Sequence, residues 1–296
     1  MSGVARELRV SERVTLIFFA LVLVESNFFS LSLRERASMW GLNIVVGGVL
    51  LLLARYGDAK PSRVLTSVRD WLPCVLIPLA YRESGLFFTP DPTHRLDHLF
   101  IRWDNALLQN SWMLHGLTSC SPWLESYLEI AYLLCYPLVP LGLASLIVAR
   151  RRGILKSSER SGPGRAIDRF WTAVLLAAFT CYMLYPFFPL TPPRVLFPKP
   201  DGMESHSVLR HLNFWLLRQN GDQASLFPSG HVASVTATAL AVRAYLPRLG
   251  WVFLFAAASV AVATFVGRYH YAADAAAGAL VGVVAFAVSS RVHRMR

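Results

Sequence analysis

Charge is what this chain has least of. Only 16% of its 296 residues are Asp, Glu, Lys or Arg, against 54% hydrophobic residues. A soluble domain of that size needs a larger charged surface, and the mean hydropathy of +0.43 places the chain among polytopic membrane proteins instead. Acidic residues are the scarcer sign, 18 against 29 basic, for a net charge of +11. Such an excess could suggest nucleic acid, but the arginines stand in short runs between apolar segments. That pattern is explained by cytoplasmic loops retaining Lys and Arg, so no nucleic-acid partner is expected. Cysteine is scarce too. The four present have neither disulfide nor metal-type spacing, and Cys74, Cys135 and Cys181 fall inside apolar runs where packing is their role. No small-residue cleavage site follows Arg6, Arg9, Arg13 and the apolar stretch after them, so that stretch reads as a retained helix.

What is present is apolar sequence in bilayer-length runs. The expected fold is all-α, a polytopic membrane bundle of about eight transmembrane helices. The spans read Val14–Leu33, Met39–Tyr56, Thr66–Phe88, Pro122–Ala149, Ile167–Leu190, Ser229–Leu246, Gly250–Val266 and His270–Ser290. The third is awkward, since Arg69 and Asp70 begin it and Arg82 and Glu83 interrupt its end. Residues 1–65 hold two N-terminal spans, 66–290 a six-helix core and 291–296 a basic cytoplasmic tail. The larger share of the basic residues falls on the side of both termini, which places the termini in the cytoplasm. Residues 150–169 form a basic linker on that side. Between His94 and Ser121, charged and aromatic residues alternate with apolar ones, as in an amphipathic segment at the outer interface, either a roof over a lipid site or a connector.

Polar residues gather at the opposite, extracytoplasmic ends of these spans. Pro228-Ser229-Gly230-His231 opens the sixth span, which descends; the seventh climbs back over a similar length to His270-Tyr271-Ala272-Ala273-Asp274. At about 1.5 Å per residue, each leg covers roughly 25 Å, so His231 and His270 return to one membrane depth. The fifth span delivers Pro192-Pro193-Arg194 to the same level. A helix opening at Ser229 and Gly230 aims backbone N–H groups and the positive dipole end at an anion, and Arg194 suits bidentate phosphate contact. His270 and Asp274 are four apart on one helix face, so the carboxylate can orient the ring. His270 is then a candidate nucleophile and His231 its acid/base partner. Plainer readings exist for each element. Ser-Gly before a helix is an ordinary cap, and a membrane histidine is often a hydrogen-bonded core residue. Two His and one Asp could also ligate a metal, although the helix opening and Arg194 favour an anion. Asp274, in Ala-Ala-Asp-Ala-Ala-Ala-Gly, is the hardest to dismiss, because an unpaired carboxylate there is costly. Gly278 and Gly282 make a small-residue face for close helix packing.

These residues resemble the motifs of the type 2 phosphatidic acid phosphatase superfamily, the membrane relatives of vanadium haloperoxidases. Pro228 to His231 matches its second motif, and His270 with Asp274 matches the His-x-x-x-Asp end of its third. The resemblance is strongest from about Pro186 to Gly282, and the family's six-helix core takes in spans three to eight. It implies that His270 attacks phosphorus to form a phosphohistidine oriented by Asp274, that His231 protonates the leaving alcohol, and that Ser229, the Gly230 amide and Arg194 hold the phosphoryl oxygens, with no metal and no cofactor. Two motif residues depart from the common pattern. Thr264 stands where the third motif has arginine, with Arg268 a candidate substitute, and no lysine precedes Arg194 as in the first motif. These departures, the Pro-Pro-Arg turn and the eight spans resemble the inositol phosphorylceramide synthase (inositolphosphotransferase-like) branch. That branch transfers a phospho-headgroup to a lipid alcohol. The expected partners are thus a phospholipid or lipid phosphate, a lipid alcohol acceptor and the bilayer. A lipid phosphatase acting on phosphatidic acid or a polyprenyl diphosphate is the alternative, and a lipid-binding or transport protein the non-enzyme one.

Overall fold

The computed structural model describes residues 8–59, 62–88, 93, 95–106, 122–155, 163–196, 208–219 and 227–295. The described residues form helices and connecting turns with no strand among them, so the fold is the expected all-α bundle. In chain order the helices are α1 (Val10–Glu25), α2 (Leu33–Ala59), α3 (Arg63–Trp71), α4 (Pro73–Gly85), α5 (Arg95–Asp104), α6 (Pro122–Leu133) and α7 (Cys135–Arg151). There follow α8 (Pro163–Leu184), the short α9 (Pro193–Leu196), α10 (Val208–Gln219), α11 (Gly230–Tyr245), α12 (Pro247–Val266) and α13 (Ala272–Arg294). Trp112 and His115 of the expected interfacial segment, and much of the basic linker, lie outside the described residues.

Helical segments lie at all eight expected spans, but their lengths differ from the sequence reading. Among the described residues, five segments are long and apolar enough to cross a bilayer, and α6 with α7 makes a sixth if the bent pair is one span. Two of the eight fall short by length: α1 and α11 have 16 residues each. The fourth expected span is bent by 56° between α6 and α7. Pro137, in the first turn of α7, lacks the N–H that would continue the ladder to Leu133. The third is broken at Leu72, where Pro73 restarts the helix as α4.

Two of the four charges that made the third span awkward, Arg69 and Asp70, are paired with other ions. Arg69 Nε donates to Glu12 Oε1 at 2.7 Å, while Asp70 receives Arg9 at 2.7 Å and Arg150 at 2.9 Å. Trp171 Nε1 also donates to the Asp70 carbonyl at 2.8 Å. This belt ties the start of α1 and the end of α3 to α7 and α8, and the end of α13 joins it through His293, which meets Thr172 and Asp168. Membrane-embedded charge is tolerated where each ion has a partner, and here each does.

α8 is the central helix, with Ile167, Phe170, Ala173, Val174, Ala177 and Ala178 fully buried. It packs most heavily against α11 and α13, which also pack on each other and on α12. α2 lies at the periphery and turns Ile44, Val45 and Leu52 outward, as lipid-facing residues should. The core therefore holds the two motif helices rigidly side by side, at the end of the bundle opposite the ion-pair belt.

Candidate active site

Ser229 caps α11. Its backbone is extended, its hydroxyl accepts from the Val232 N–H at 3.4 Å, and it is fully buried. The Ser229 N–H donates to the Asp274 carbonyl at 3.1 Å, so the start of α11 is bonded directly to the start of α13. Close approach is possible because Gly278 and Gly282 face α11. A Cβ at Gly278 would stand 2.4 Å from the Ser229 carbonyl oxygen, and one at Gly282 would stand 2.6 Å from that of Ala233. The next amide, that of Gly230, donates to the Tyr185 hydroxyl at 3.1 Å. A Cβ on Gly230 would meet that hydroxyl at 2.7 Å and the Tyr182 ring at 2.9 Å, which is why glycine stands there.

The two histidines face each other with ring centres 6.3 Å apart. His231 leans against Tyr132 and Tyr136. His270 is almost wholly buried, and its Nδ1 lies 3.5 Å from Asp274 Oδ2. That separation is long for a hydrogen bond, as catalytic contacts often are before substrate closes them. The same Oδ2 accepts the Tyr271 N–H at 3.1 Å, completing a capping box at the first turn of α13, where the helix dipole favours a carboxylate. Asp274 is completely buried, and its Oδ1 has no hydrogen-bond partner among the described residues.

The turn between α12 and α13 is built on Thr264. Its carbonyl accepts the N–H groups of both Tyr269 (2.9 Å) and His270 (3.1 Å), and its hydroxyl donates back to the Val260 carbonyl of its own helix. Position 264 is thus fully buried and turned into α12. Arg268 takes φ of +61°, a left-handed backbone that costs a non-glycine residue on the order of 1–2 kcal/mol. Its carbonyl accepts the Arg194 N–H at 3.0 Å, and the Arg194 guanidinium donates to the Tyr269 carbonyl at 3.4 Å. Arg194, Ser229, Gly230, His231, Arg268, His270 and Asp274, expected from three separate stretches, are therefore drawn together at one end of the bundle.

A family model described as the PAP2 superfamily matches residues 98–288, well over half of the chain. The chain belongs to the PAP2 superfamily. A PA-phosphatase related-family protein of Dictyostelium discoideum is 30% identical over 109 residues, covering 35% of this chain and 19% of that relative. The chain thus matches under a fifth of that relative's length. No solved structure matches. PAP2 membership agrees with a bundle whose described helices include several of membrane-crossing length.

Several residues of this PAP2 site escaped the motif reading. The α5 helix packs Asp97 and Asp104 onto it from one face, two helical turns apart. Asp97 Oδ1 accepts the Thr191 N–H at 2.8 Å, and the Thr191 carbonyl accepts the Tyr271 hydroxyl at 3.1 Å. The Asp104 carboxylate receives the Ala272 N–H at 3.0 Å and caps α13. This part of the amphipathic segment is a clamp on the turn that carries His270. A third carboxylate, Glu129 on α6, accepts the Tyr269 hydroxyl at 2.6 Å, and Tyr269 stacks on Tyr132 with centroids 3.8 Å apart. A cavity of about 240 Å³ extends from Gly230 and His231 into the bundle between α4, α7 and α8, walled largely by apolar groups such as Ile77, Val139 and Pro140. The spacing of Asp97 and Asp104 on one helix face was a usable signal. Glu129 and Tyr185 had none, because their partners lie far away in sequence.

Burial, opposed by the Ala272 amide and reinforced by the charge of Asp274, pushes the Asp104 carboxyl up from 3.8 to about 6. The folded chain then holds this proton more tightly than the unfolded chain. Asp104 therefore contributes stability below pH 3.8 that is lost as the pH rises through about 6. In thermal unfolding of the detergent-solubilised protein, Asp104→Asn is expected to flatten that part of the pH profile. An unchanged profile would remove Asp104 from the account.

Proposed function

We propose that this PAP2 protein transfers a phospho-headgroup between lipid alcohols through a phosphohistidine, at the extracytoplasmic face. The observation that carries the reading is the facing pair His231 and His270, with His231 on the rim of the apolar cavity. His270 Nε2 attacks phosphorus while Asp274 holds the Nδ1 proton, and the P–O bond to the leaving lipid alcohol breaks. His231, protonated, gives its proton to that oxygen. In the second half an incoming alcohol attacks the phosphohistidine, His231 takes the alcohol's proton, and the P–N bond breaks. Arg194 neutralises the phosphoryl oxygens, with the N-terminus of α11 at Ser229 behind them. The Gly230 amide joins them when the Tyr185 hydroxyl yields its place.

The apolar cavity supports an alcohol that carries hydrocarbon rather than water as the acceptor at His231. Thr264, turned into its own helix, supports the inositolphosphotransferase-like branch over the pattern with arginine there. The basic residues gathered at the other end of the bundle support cytoplasmic termini and an outward-facing site. Hydrolysis is the second reading, and the PA-phosphatase description of the Dictyostelium relative favours it. Purified protein incubated with headgroup-labelled phospholipid, with and without a lipid alcohol, separates the two. Headgroup appearing on the added alcohol supports transfer. Release of free phosphate or of the free phospho-headgroup alone, whatever alcohol is present, refutes it.

A further inference from the structure

Beside the catalytic turn lies a second pocket, about 190 Å³, lined by Arg194, Val195, Phe214, Leu217 and Arg218. Leu217 also lines the cavity at His231, so the two spaces adjoin. Of the five described residues that line it, two carry guanidinium groups and none carries a carboxylate. Like charges facing one space repel each other, and the arrangement is relieved by an anion between them.

The helix that brings Arg218 there is held in place from below. Asn213 Nδ2 donates to Glu129 Oε2 at 2.6 Å and to the Glu129 carbonyl at 3.1 Å, and Arg210 reaches Oε1 at 3.0 Å. Glu129 is the same buried carboxylate that receives the Tyr269 hydroxyl, one residue before His270. One charge on α6 thus sets both the register of α10 and the position of the nucleophile's turn. Arg210 and Asn213 are committed inward, and Arg218, two turns further along α10, remains exposed on the pocket wall.

Building on the phosphoryl-transfer reading above, we propose that Arg218 is a second phosphate-holding residue of this site, acting opposite Arg194 on the reacting phosphoryl group. Arg194 and Arg218 are the guanidinium groups among the described residues lining this pocket, and Arg268 does not line it. The ligand class is a phosphate monoester or diester oxygen pair, which two planar guanidinium groups suit.

The test is binding of inorganic phosphate to the purified full-length protein by calorimetry, with steady-state kinetics on a short-chain lipid phosphate alongside. Arg218→Gln is expected to weaken phosphate binding about 10- to 100-fold and to raise KM more than it lowers kcat. Arg218→Lys should recover part of the loss, and the remote Arg248→Gln should change neither quantity. Phosphate affinity within twofold of wild type in Arg218→Gln, when Arg194→Gln weakens it, would overturn the proposal. So would an effect on inorganic phosphate with none on the lipid phosphate, because the pocket would then hold a free ion and not the substrate. Phosphate binding is read without turnover. Intact Arg218-dependent binding in a protein that turns over no lipid phosphate would therefore count against the enzyme reading and leave the phosphate site standing.

Discussion

His270→Ala is expected to abolish turnover of lipid phosphoesters, a loss on the order of 10⁴-fold or more, with the protein still folded. On the proposed mechanism this removes the nucleophile and with it the covalent route, and the opposed His231 ring, 6.3 Å away, is assigned to the leaving group and does not replace it. Asp274→Asn is expected to fall by roughly 10²- to 10⁴-fold, since the amide keeps the shape but neither fixes the tautomer nor stabilises a developing imidazolium. The structure adds a qualification for Asp274→Ala. That carboxylate also caps α13 through the Tyr271 N–H, so the alanine variant loses stability as well as rate, and the asparagine variant is the cleaner probe. Rapid quench of the wild type with labelled substrate should show phosphate held on the protein in an acid-labile, base-stable form, absent from His270→Ala. The mass of the captured group reports directly whether a headgroup travels with the phosphorus. Residual turnover in His270→Ala within tenfold of wild type would end the phosphohistidine mechanism.

Gly278→Ala should lower activity by about 10²-fold without touching a reacting group. A methyl there meets the Ser229 carbonyl at 2.4 Å and the Ser229 side chain at 3.2 Å. The obstacle is backbone at the cap of α11 and cannot rotate away, so α11 and α13 must separate. Their separation strains the Ser229 N–H to Asp274 carbonyl bond and moves His231 relative to His270. Displacements of about 1 Å at a reacting centre cost on the order of 10²-fold in rate, and overpacking of this kind costs about 1–3 kcal/mol in stability. Gly48→Ala on the peripheral α2 is the control, because a Cβ there meets nothing within 4 Å. Equal activity in the two variants would show that the α11–α13 contact is looser than the structure has it.

The sequence alone determined the class of the protein and the identity of its motif residues. Low charge and long apolar runs leave a membrane bundle as the outcome, because so little polar surface cannot solvate a soluble domain. Helix geometry then carried the argument further. Two legs of similar length bring His231 and His270 to one depth. Asp274 does lie beside His270, although His270 stands in the turn before α13, which begins at Ala272, and not on the helix face that the i, i+4 spacing suggested. Those inferences depend on local periodicity, which is written in consecutive residues. The tertiary structure decided what depends on contacts between distant ones. It paired Arg69 and Asp70 with Glu12, Arg9 and Arg150, which made an unpromising span acceptable. It bent the fourth span, left α1 and α11 short, and gave the Gly230 amide to Tyr185. It also turned Thr264 into its own helix, and through Glu129 set Arg218 across a pocket from Arg194. None of these has a signature at fixed spacing, since each is set by how helices pack around α8.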